Sequence, residues 1–200
     1  MSIIYLLRHG TRVNQQEDSL LSDMGKKQAE LTAEFLKGKG IHEVYVSPLQ
    51  RTRQTAAIIN RKLQLKIMLD DRLKERLLYG DIPNISFEEF LKEWDKTSMD
   101  RKYRPLVGDS AVMSGNRIKS LLDDVADNDR KILVVTHGGI IGDFLRNMFP
   151  AQLLPLQTSL DGSIQYVQIE ECSITVVQKH GADYFLKEVN STNHLHISDG

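Results

Sequence analysis

The sequence predicts an α/β fold in which helices cover both faces of a mainly parallel sheet. Short apolar runs rich in β-branched residues alternate along the chain with amphipathic segments of helical periodicity. Such alternation is typical of a three-layer α/β/α sandwich, because each crossover places a helix on one face of the sheet. We expect this architecture over residues 1–200 as a single domain, with late antiparallel strands and a small cap insertion.

The parallel part of the sheet is predicted from short apolar runs, namely Ile3 to Leu7, Val44 to Val46, Ile67 to Leu69 and Ile132 to Val135. Helices are predicted from periodic apolar positions that follow typical start signals or turns: after Ser22, after Ser47-Pro48, from Arg117 to Ala126, and after Gly138-Gly139. Each helix connects, or follows, one of the strands.

The stretch from about 76 to 112 interrupts this alternation. Ser86 and Glu89 have the spacing of a capping box at the start of a short helix. One side of this helix is apolar and carries Phe87, Phe90, Leu91 and Trp94. We therefore expect a cap beside the sheet.

Late strands are predicted from two alternating runs between Ile164 and Val177, separated by Glu170-Glu171, and from a third run at Tyr184 to Val189. They are expected to add antiparallel members to the sheet.

Composition excludes several classes of protein. The 200 residues are 40% hydrophobic and 26% charged, which is ordinary for a globular domain and excludes disordered and fibrous chains. The net charge of −1 argues against bulk attraction to nucleic acid or to an anionic membrane. The single cysteine, Cys172, is expected in the core and indicates a reducing compartment, most simply the cytoplasm. No targeting or membrane-spanning segment is recognisable.

Two histidines follow apolar strands directly, each with glycine after it: His9-Gly10 and His137-Gly138. Ligands of open α/β sheets bind at the carboxyl ends of the strands, where both imidazoles are expected. The glycines allow an oxyanion to approach the main-chain N–H groups. A strand-terminal histidine is also a common structural residue, so the interpretation depends on what else converges there.

Arginines are expected at the same sheet edge. Arg8 and Arg12 flank His9, and Arg51 follows the second strand. A guanidinium matches pairs of phosphate oxygens and keeps its charge at any working pH. The same positive field keeps His9 neutral and nucleophilic. The sequence therefore predicts a phosphoryl-transfer site.

An acid for the leaving oxygen is expected just after the third strand. Glu75 is the preferred candidate, and Asp70 and Asp71 are the alternatives. We expect neither metal nor cofactor, because the chain has no Gly-rich nucleotide loop and no acidic metal cluster. A cationic segment, Arg101 to Arg104, is expected as a solvated loop, with a lid contact as the alternative. His194 and His196 are expected in a polar tail and not in a metal site.

The motifs resemble the histidine phosphatase superfamily, the phosphoglycerate mutase-like proteins. The resemblance lies in Leu7-Arg8-His9-Gly10, Leu21 to Ala29, Ser47-Pro48-Leu49-Gln50-Arg51 with Gln54-Thr55-Ala56, Thr136-His137-Gly138-Gly139, Cys172 to Thr175 and Asn193 to Leu195. It implies that His9 forms a phosphohistidine and that Arg8, Arg51 and His137 bind the phosphoryl oxygens. It further implies that Glu75 is the proton donor.

Two departures from the family pattern matter. Arg12 stands three residues after His9, as in the acid phosphatase branch, and is expected to add a phosphate ligand. That branch places an acid directly after the second histidine, whereas Gly138 stands there in this chain. Its donor scheme therefore does not transfer, and Glu75 remains the prediction.

The predicted function is a metal-independent phosphatase for phosphate monoesters. The alternatives are a phosphoglycerate mutase-type phosphotransferase and, third, a non-catalytic module that binds a phosphorylated ligand. The expected partner is a phosphorylated small molecule, with a phosphoprotein as the alternative. The sequence leaves the individual substrate and the oligomeric state open.

Overall fold

The central sheet has the predicted parallel core. In the computed structural model, which describes residues 1–14, 18–127 and 129–196, six strands form one sheet in the order β3-β2-β4-β1-β7-β8. The strands are β1 (Ser2–Arg8), β2 (Glu43–Val46), β3 (Ile67–Leu69), β4 (Lys131–Thr136), β7 (Ile174–His180) and β8 (Asp183–Ser191). Strands β1 to β4 run parallel, so their carboxyl ends meet at one edge.

The helices are α1 (Asp23–Lys37), α2 (Gln50–Leu63), α3 (Phe87–Met99), α4 (Ala111–Val125) and α5 (Gly138–Met148). Serine caps start several of them: the hydroxyl of Ser22 accepts the N–H of Gly25 at 3.1 Å, and Ser86 forms the predicted capping box with Glu89. Helix α4 begins six residues before the predicted Arg117, because Ser110 caps it there.

Helices cover both faces of the sheet, as predicted. Side chains alternate along each strand, so Leu6 and Leu7 point to opposite faces. Leu6 belongs to the core under α4 and α5, with Ile118 and Phe144, whereas Leu7 belongs to the core under α1 and α2. All of these side chains are fully buried. The three-layer α/β/α sandwich is therefore confirmed.

The late strands follow the prediction only in part. Strand β7 pairs antiparallel with β1, and β8 pairs antiparallel with β7, as expected. The run after Ile164 instead forms β6 (Gln165–Val167), which pairs with β5 (Leu156–Thr158) in a separate hairpin. This hairpin packs on α5, where Gly142 has no side chain and leaves room for the backbone of Val167.

The cap therefore has two parts, α3 with its flanking turns and the β5–β6 hairpin. The sequence predicted the second strand of this hairpin as part of the central sheet and did not predict the first. No helix in the described part of the chain is both long and apolar enough to cross a membrane.

Candidate active site

The two predicted histidines meet at the carboxyl edge of the sheet. Strands β1 and β4 are neighbours whose last paired residues are Arg8 and Thr136, so His9 and His137 follow at the same level. Their ring centroids are 5.3 Å apart, with an angle of 63° between the planes. Both imidazoles are buried, with 3% and 1% of their surface exposed.

Arg51 lies between the two imidazoles. Its Nε–H is directed at both rings, with His9 Nε2 and His137 Nδ1 each at 3.2 Å. His9 Nδ1 lies 2.8 Å from the carbonyl oxygen of Gly10 and donates to it, so Nε2 keeps the lone pair. Since His137 Nδ1 accepts from Arg51, its Nε2–H donates to the hydroxyl of Ser47 at 2.8 Å. The unprotonated nitrogen of His9 thus faces the guanidinium.

Burial and positive neighbours keep both histidines neutral. Desolvation lowers the pKa of His9 well below its ordinary value of 6.5, and Arg51 lowers it further, while the hydrogen bond to Gly10 opposes the shift. The pKa of His137 is lowered by burial first and by Arg51 next. Burial and the neighbouring Arg12 lower the pKa of Arg51 to about 10, so Arg51 stays cationic at neutral pH. The result is a neutral imidazole beside fixed positive charge.

Arg8 and Arg12 complete what we call the arginine cluster, which consists of Arg8, Arg12 and Arg51. All three line one cavity. Arg8 donates to the carbonyl oxygen of Ile169 and to Glu171, each at 2.5 Å. Burial and the charge of Arg8 lower the pKa of Arg12. The structure therefore brings together the predicted phosphate-binding arginines.

Asp18 is a contact of this cluster that the sequence analysis did not single out. Its carboxylate pairs with Nη1 of Arg51 at 3.0 Å. It also accepts the backbone N–H of Gln50, at 2.9 and 3.0 Å for its two oxygens. The cap residue of α2 is Leu49, which has no side-chain acceptor, so Asp18 supplies the cap from a distant loop. The sequence predicted the start of this helix at Ser47-Pro48, so no local signal pointed to Asp18.

Glu171 and Ser47 were also missed as contacts of the site. Glu171 pairs with Arg8, although the sequence presented it only as a break between two alternating runs. Ser47 contacts His137 and lies within the motif that ends in Arg51. Their roles depend on strand order, which short-range patterns do not reveal.

Glu75 lines the same cavity, beside α5. Its Oε2 accepts the N–H of Gly139 at 3.0 Å, and its Oε1 accepts the N–H of Arg76 at 3.0 Å. The alternative acids lie elsewhere, because Asp70 is paired with Arg72 and Asp71 is exposed. Of the acids considered from the sequence, the structure places Glu75 at the site.

Contacts on both sides of Glu75 hold its loop in place, at Leu73 and at Arg76. The hydroxyl of Thr136, next to His137, donates to the carbonyl oxygen of Leu73 at 2.7 Å. On the other side Arg76 is buried, and its Nη1 donates to both carboxylate oxygens of Asp143, at 2.9 and 3.1 Å. These contacts tie the position of Glu75 to β4 and α5.

Glycines are needed where these parts approach one another. A Cβ atom at position 139 would lie 2.7 Å from both Glu75 Oε1 and Trp94 Cη2. A Cβ atom at position 138 would lie 3.2 Å from Cδ of Arg8. Gly138 also begins α5 and lines the cavity, consistent with an oxyanion near its N–H group.

The cavity extends from the arginine cluster to the cap and has a volume of about 790 Å³. Its far side is formed by the aromatic wall, which we define as Tyr79, Phe87, Phe90 and Trp94. The β5–β6 hairpin closes another side with Ile164 and Tyr166. A cavity of this size is in the range of sites for organic ligands.

The remaining predictions concern groups outside the cavity. Arg101 is half-buried and donates to Asn147 Oδ1 at 2.7 Å, so it docks the cap on α5 and is not a solvated residue. Cys172 is fully buried, as predicted, and burial raises its pKa to about 12. The expectation that His194 lies in a polar tail is wrong, because this residue is buried and its ring stacks on Phe35. Within the described ranges no group of His, Cys, Asp and Glu is arranged to hold a metal ion.

This fold and site define a class of protein with two histidines and several arginines at the carboxyl edge of a parallel sheet. The sequence model of the histidine phosphatase superfamily (branch 1) matches residues 4–192. The chain therefore belongs to the histidine phosphatase superfamily.

Some of the proteins similar to this chain are named as mutases and others as phosphatases. The probable phosphoglycerate mutase GpmB of Yersinia enterocolitica is 31% identical over 159 residues, which cover 72% of this chain and 74% of that protein. Among solved structures, a phosphoserine phosphatase of Entamoeba histolytica in complex with 3-phosphoglyceric acid has a TM-score of 0.73 at 23% identity, covering 98% and 100% of the chains.

A mycobacterial glucosyl-3-phosphoglycerate phosphatase in complex with inorganic phosphate has a TM-score of 0.73 at 24% identity, covering 96% of this chain and 98% of that chain. At this level of identity, both structures establish the shared fold alone.

Proposed function

We propose that the protein is a phosphatase that hydrolyses phosphate monoesters through a phosphohistidine on His9. The observation that carries the proposal is the position of Arg51, whose Nε lies 3.2 Å from His9 Nε2 and from His137 Nδ1. A phosphoryl group bound there meets a nucleophilic nitrogen and a guanidinium at once. Phosphoryl transfer needs little more than positioning, charge stabilisation and a proton for the leaving oxygen.

In the first step the lone pair of His9 Nε2 attacks phosphorus, and the bond from phosphorus to the ester oxygen breaks. Glu75 donates its proton to that oxygen, so the alcohol leaves neutral. The arginine cluster and the N–H of Gly138 balance the negative charge on the equatorial oxygens. The neutral His137 accepts the Nε–H of Arg51 through Nδ1 and so orients that guanidinium. His9 is neutral at the start because burial and Arg51 lower its pKa.

In the second step water attacks phosphorus, and the bond from phosphorus to Nε2 breaks. Glu75, now a carboxylate, accepts a proton from the water. Inorganic phosphate leaves and His9 recovers its lone pair. The chain's own groups supply every proton movement in this scheme, so we propose that no metal takes part.

A mutase is the second candidate, because relatives at 31% identity are named probable phosphoglycerate mutases. A mutase must also hold the second anion of a phosphoacid. Beyond the arginine cluster, the cations on the described lining of the cavity are Arg76 and Arg146. Arg76 is already paired with Asp143, and Arg146 donates to the carbonyl oxygen of Gln165 at 2.6 Å. We therefore prefer hydrolysis.

The test measures phosphate release from p-nitrophenyl phosphate in the presence of a chelator, together with trapping of labelled phosphate on the protein. We expect the wild type to release phosphate and to carry an acid-labile label, and His9→Ala to lose both. His180→Ala, which removes an exposed histidine on β7, is the matched control and should retain both. Full activity of His9→Ala would refute the proposal.

Incubation with 3-phosphoglycerate and a bisphosphate primer separates the candidates, because isomerisation faster than phosphate release would favour the mutase. Absence of both label and turnover would favour the non-catalytic binding module.

A further inference from the structure

The apolar side of helix α3 faces the cavity and not a hydrophobic core. Phe87, Phe90, Leu91 and Trp94 follow helical spacing on one side of the helix, and all of them line the cavity. Leu91 remains 44% exposed although it lies on the apolar side. An amphipathic helix normally buries such a side against the protein. In this chain the space in front of it continues into the arginine cluster.

The aromatic wall is a packed surface. Tyr79 meets Phe87 edge-on, with ring centroids 5.5 Å apart at 87°, and meets Phe90 at 5.7 Å and 76°. Phe87 and Phe90 stack at 6.1 Å and 18°. These are favourable arrangements for aromatic pairs, so the rings hold one another in place. The wall therefore offers a pre-formed apolar surface to a ligand.

The aromatic wall reaches the group that protonates the leaving oxygen. Glu75 Oε1 and Trp94 Cη2 both lie 2.7 Å from the position that a Cβ atom would take at Gly139. Trp94 is held there because the guanidinium of Arg76 lies over its ring, 4.0 Å from the centroid. The substituent on an oxygen protonated by Glu75 therefore starts next to the indole of Trp94.

The charge around the wall disfavours a second anion. Segment 77–98, which is fully described, contributes Asp81 and Asp95 to the cavity lining and contributes no Lys or Arg. The described lining residues of the hairpin, from Ser159 to Ile169, also include no Lys or Arg. Partial burial and, to a lesser extent, the nearby Asp161 raise the pKa of Asp95. A carboxylate on the ligand would therefore meet like charge at this end.

We propose that the substrate is a phosphate monoester whose alcohol part is a flat aromatic or similarly apolar group without a second negative charge. This inference depends on the proposed function, since it identifies the substrate class of the same site. The phosphoryl group is bound by the arginine cluster, and the aromatic body of the alcohol lies on the aromatic wall. A phosphoacid such as 3-phosphoglycerate is a poor substrate because its carboxylate would meet Asp81 and Asp95 in the cap. Arg146, a cation on α5 that lines the cavity, already donates to the carbonyl oxygen of Gln165.

The experiment compares three esters of primary alcohols, so that the leaving ability of the alcohol is closely similar. They are naphthylmethyl phosphate, ethyl phosphate and 3-phosphoglycerate. The last of these carries a carboxylate as a second anion. Phosphate release gives kcat/KM for each. Burial of the additional apolar surface should raise kcat/KM for naphthylmethyl phosphate about 30- to 100-fold above that for ethyl phosphate. We expect kcat/KM for 3-phosphoglycerate not to exceed that for ethyl phosphate.

Variants of the aromatic wall test whether this preference arises there. In Phe87→Ala and in Tyr79→Ala, the ratio of kcat/KM for naphthylmethyl phosphate to that for ethyl phosphate should fall about tenfold. In Phe87→Leu, which keeps an apolar side chain, this ratio should fall less. Because each ratio compares two substrates of one preparation, incomplete folding of a variant does not change it. Phe185→Ala removes a half-exposed aromatic residue outside the cavity and should leave the ratio unchanged.

The outcomes separate this inference from the proposed function. Equal kcat/KM for all three esters, or a preference for 3-phosphoglycerate, would overturn the substrate class while leaving the phosphatase proposal intact. An unchanged ratio in Phe87→Ala and Tyr79→Ala would also overturn it. If no ester is hydrolysed and His9 carries no label, both proposals fail.

Discussion

The arginine cluster and the aromatic wall lie in one cavity, but different forces hold them in place. At the arginine cluster, charged and polar side chains are fixed by hydrogen bonds to backbone and to one another, as with Arg8 on Ile169 and Arg51 on Asp18. At the aromatic wall, the rings are fixed mainly by packing. Hydrogen bonds are directional, whereas burial against an apolar surface is not, so we expect the first region to determine the chemistry and the second to determine the ligand.

The largest effect is expected from Arg51→Lys, which keeps the charge in the arginine cluster but removes the Nε–H between the two imidazoles. Lysine cannot reproduce the planar fork of a guanidinium. Loss of one oriented donor to a developing oxyanion reduces kcat by about 100- to 1000-fold. Steady-state kinetics with p-nitrophenyl phosphate measure this. Arg53→Lys, on the exposed side of the same helix, is the control, and an equal loss there would contradict the assignment.

A large loss of stability is expected from Asp143→Asn. Asp143 lies between the arginine cluster and the aromatic wall. Asp143 is buried, accepts the hydroxyl of Ser114 at 2.5 Å and neutralises Arg76. The guanidinium of Arg76 lies over Trp94, and its backbone N–H donates to Glu75. Removing one partner of a buried pair leaves an uncompensated charge and costs about 3–5 kcal/mol of unfolding free energy.

Urea unfolding measures this cost. Glu88→Gln, which removes an exposed ion pair with Lys92, should change little. If the two variants are equally stable, Asp143 is not the link between the regions.

A pH dependence of stability is expected from the arginine cluster and not from the aromatic wall. The pKa values of His9 and His137 are lowered in the folded protein, whereas in the unfolded chain they titrate near their ordinary value of 6.5. Below that pH the unfolded chain binds more protons than the folded one. The free energy of unfolding is therefore highest above pH 6.5, where both histidines are neutral in either state. It decreases progressively as the pH falls below 6.5.

Urea unfolding at pH 7.5 and at pH 5 measures how the free energy of unfolding changes with pH. We expect His137→Gln to reduce the pH dependence and His180→Gln, at an exposed site, to leave it unchanged. An equal pH dependence for His137→Gln and the wild type would show that folding does not lower the pKa of His137.

The smallest effect is expected from Asp18→Ala, at the edge of the arginine cluster. This change removes the acceptor for the first N–H of α2 and the partially exposed ion pair with Arg51. Loss of a helix cap costs about 0.5–2 kcal/mol, which corresponds to a decrease in Tm of a few degrees for a chain of this length. Asp18→Asn keeps an acceptor and should recover most of the loss in a thermal melt. Equal Tm values for the alanine variant and the wild type would show that water caps the helix.

The sequence predicted the arginine cluster better than the aromatic wall. His9 and His137 were predicted because each directly follows a strand, and Arg51 because it starts the helix after the next strand, and parallel strands end at a common edge. Glu75 was preferred over Asp70 and Asp71, but its place beside Gly139 follows from contacts with β4 and α5. Asp18 and Glu171 were not predicted, because nothing local in the sequence shows which side chain they approach.

The cap shows the same limit. The helical spacing of Phe87, Phe90 and Trp94 predicted one apolar side of α3, but spacing does not reveal whether such a side is covered by a core or by a ligand. The hairpin that completes the cavity was missed, since the run after Ile164 has the alternation of a strand in either sheet. Which sheet it joined was decided by packing on α5.

By itself, the sequence determined the α/β layers, the strand ends and the residue types that follow them, because these depend on short-range periodicity and on turn residues. Only the tertiary structure decided the rest. It placed Asp18 and Glu171 on the arginines, joined Arg76 to Asp143, and turned the apolar side of α3 toward a cavity. The physical reason is that buried charges and apolar surfaces are satisfied by whichever groups the fold brings within contact distance, whatever their separation along the chain.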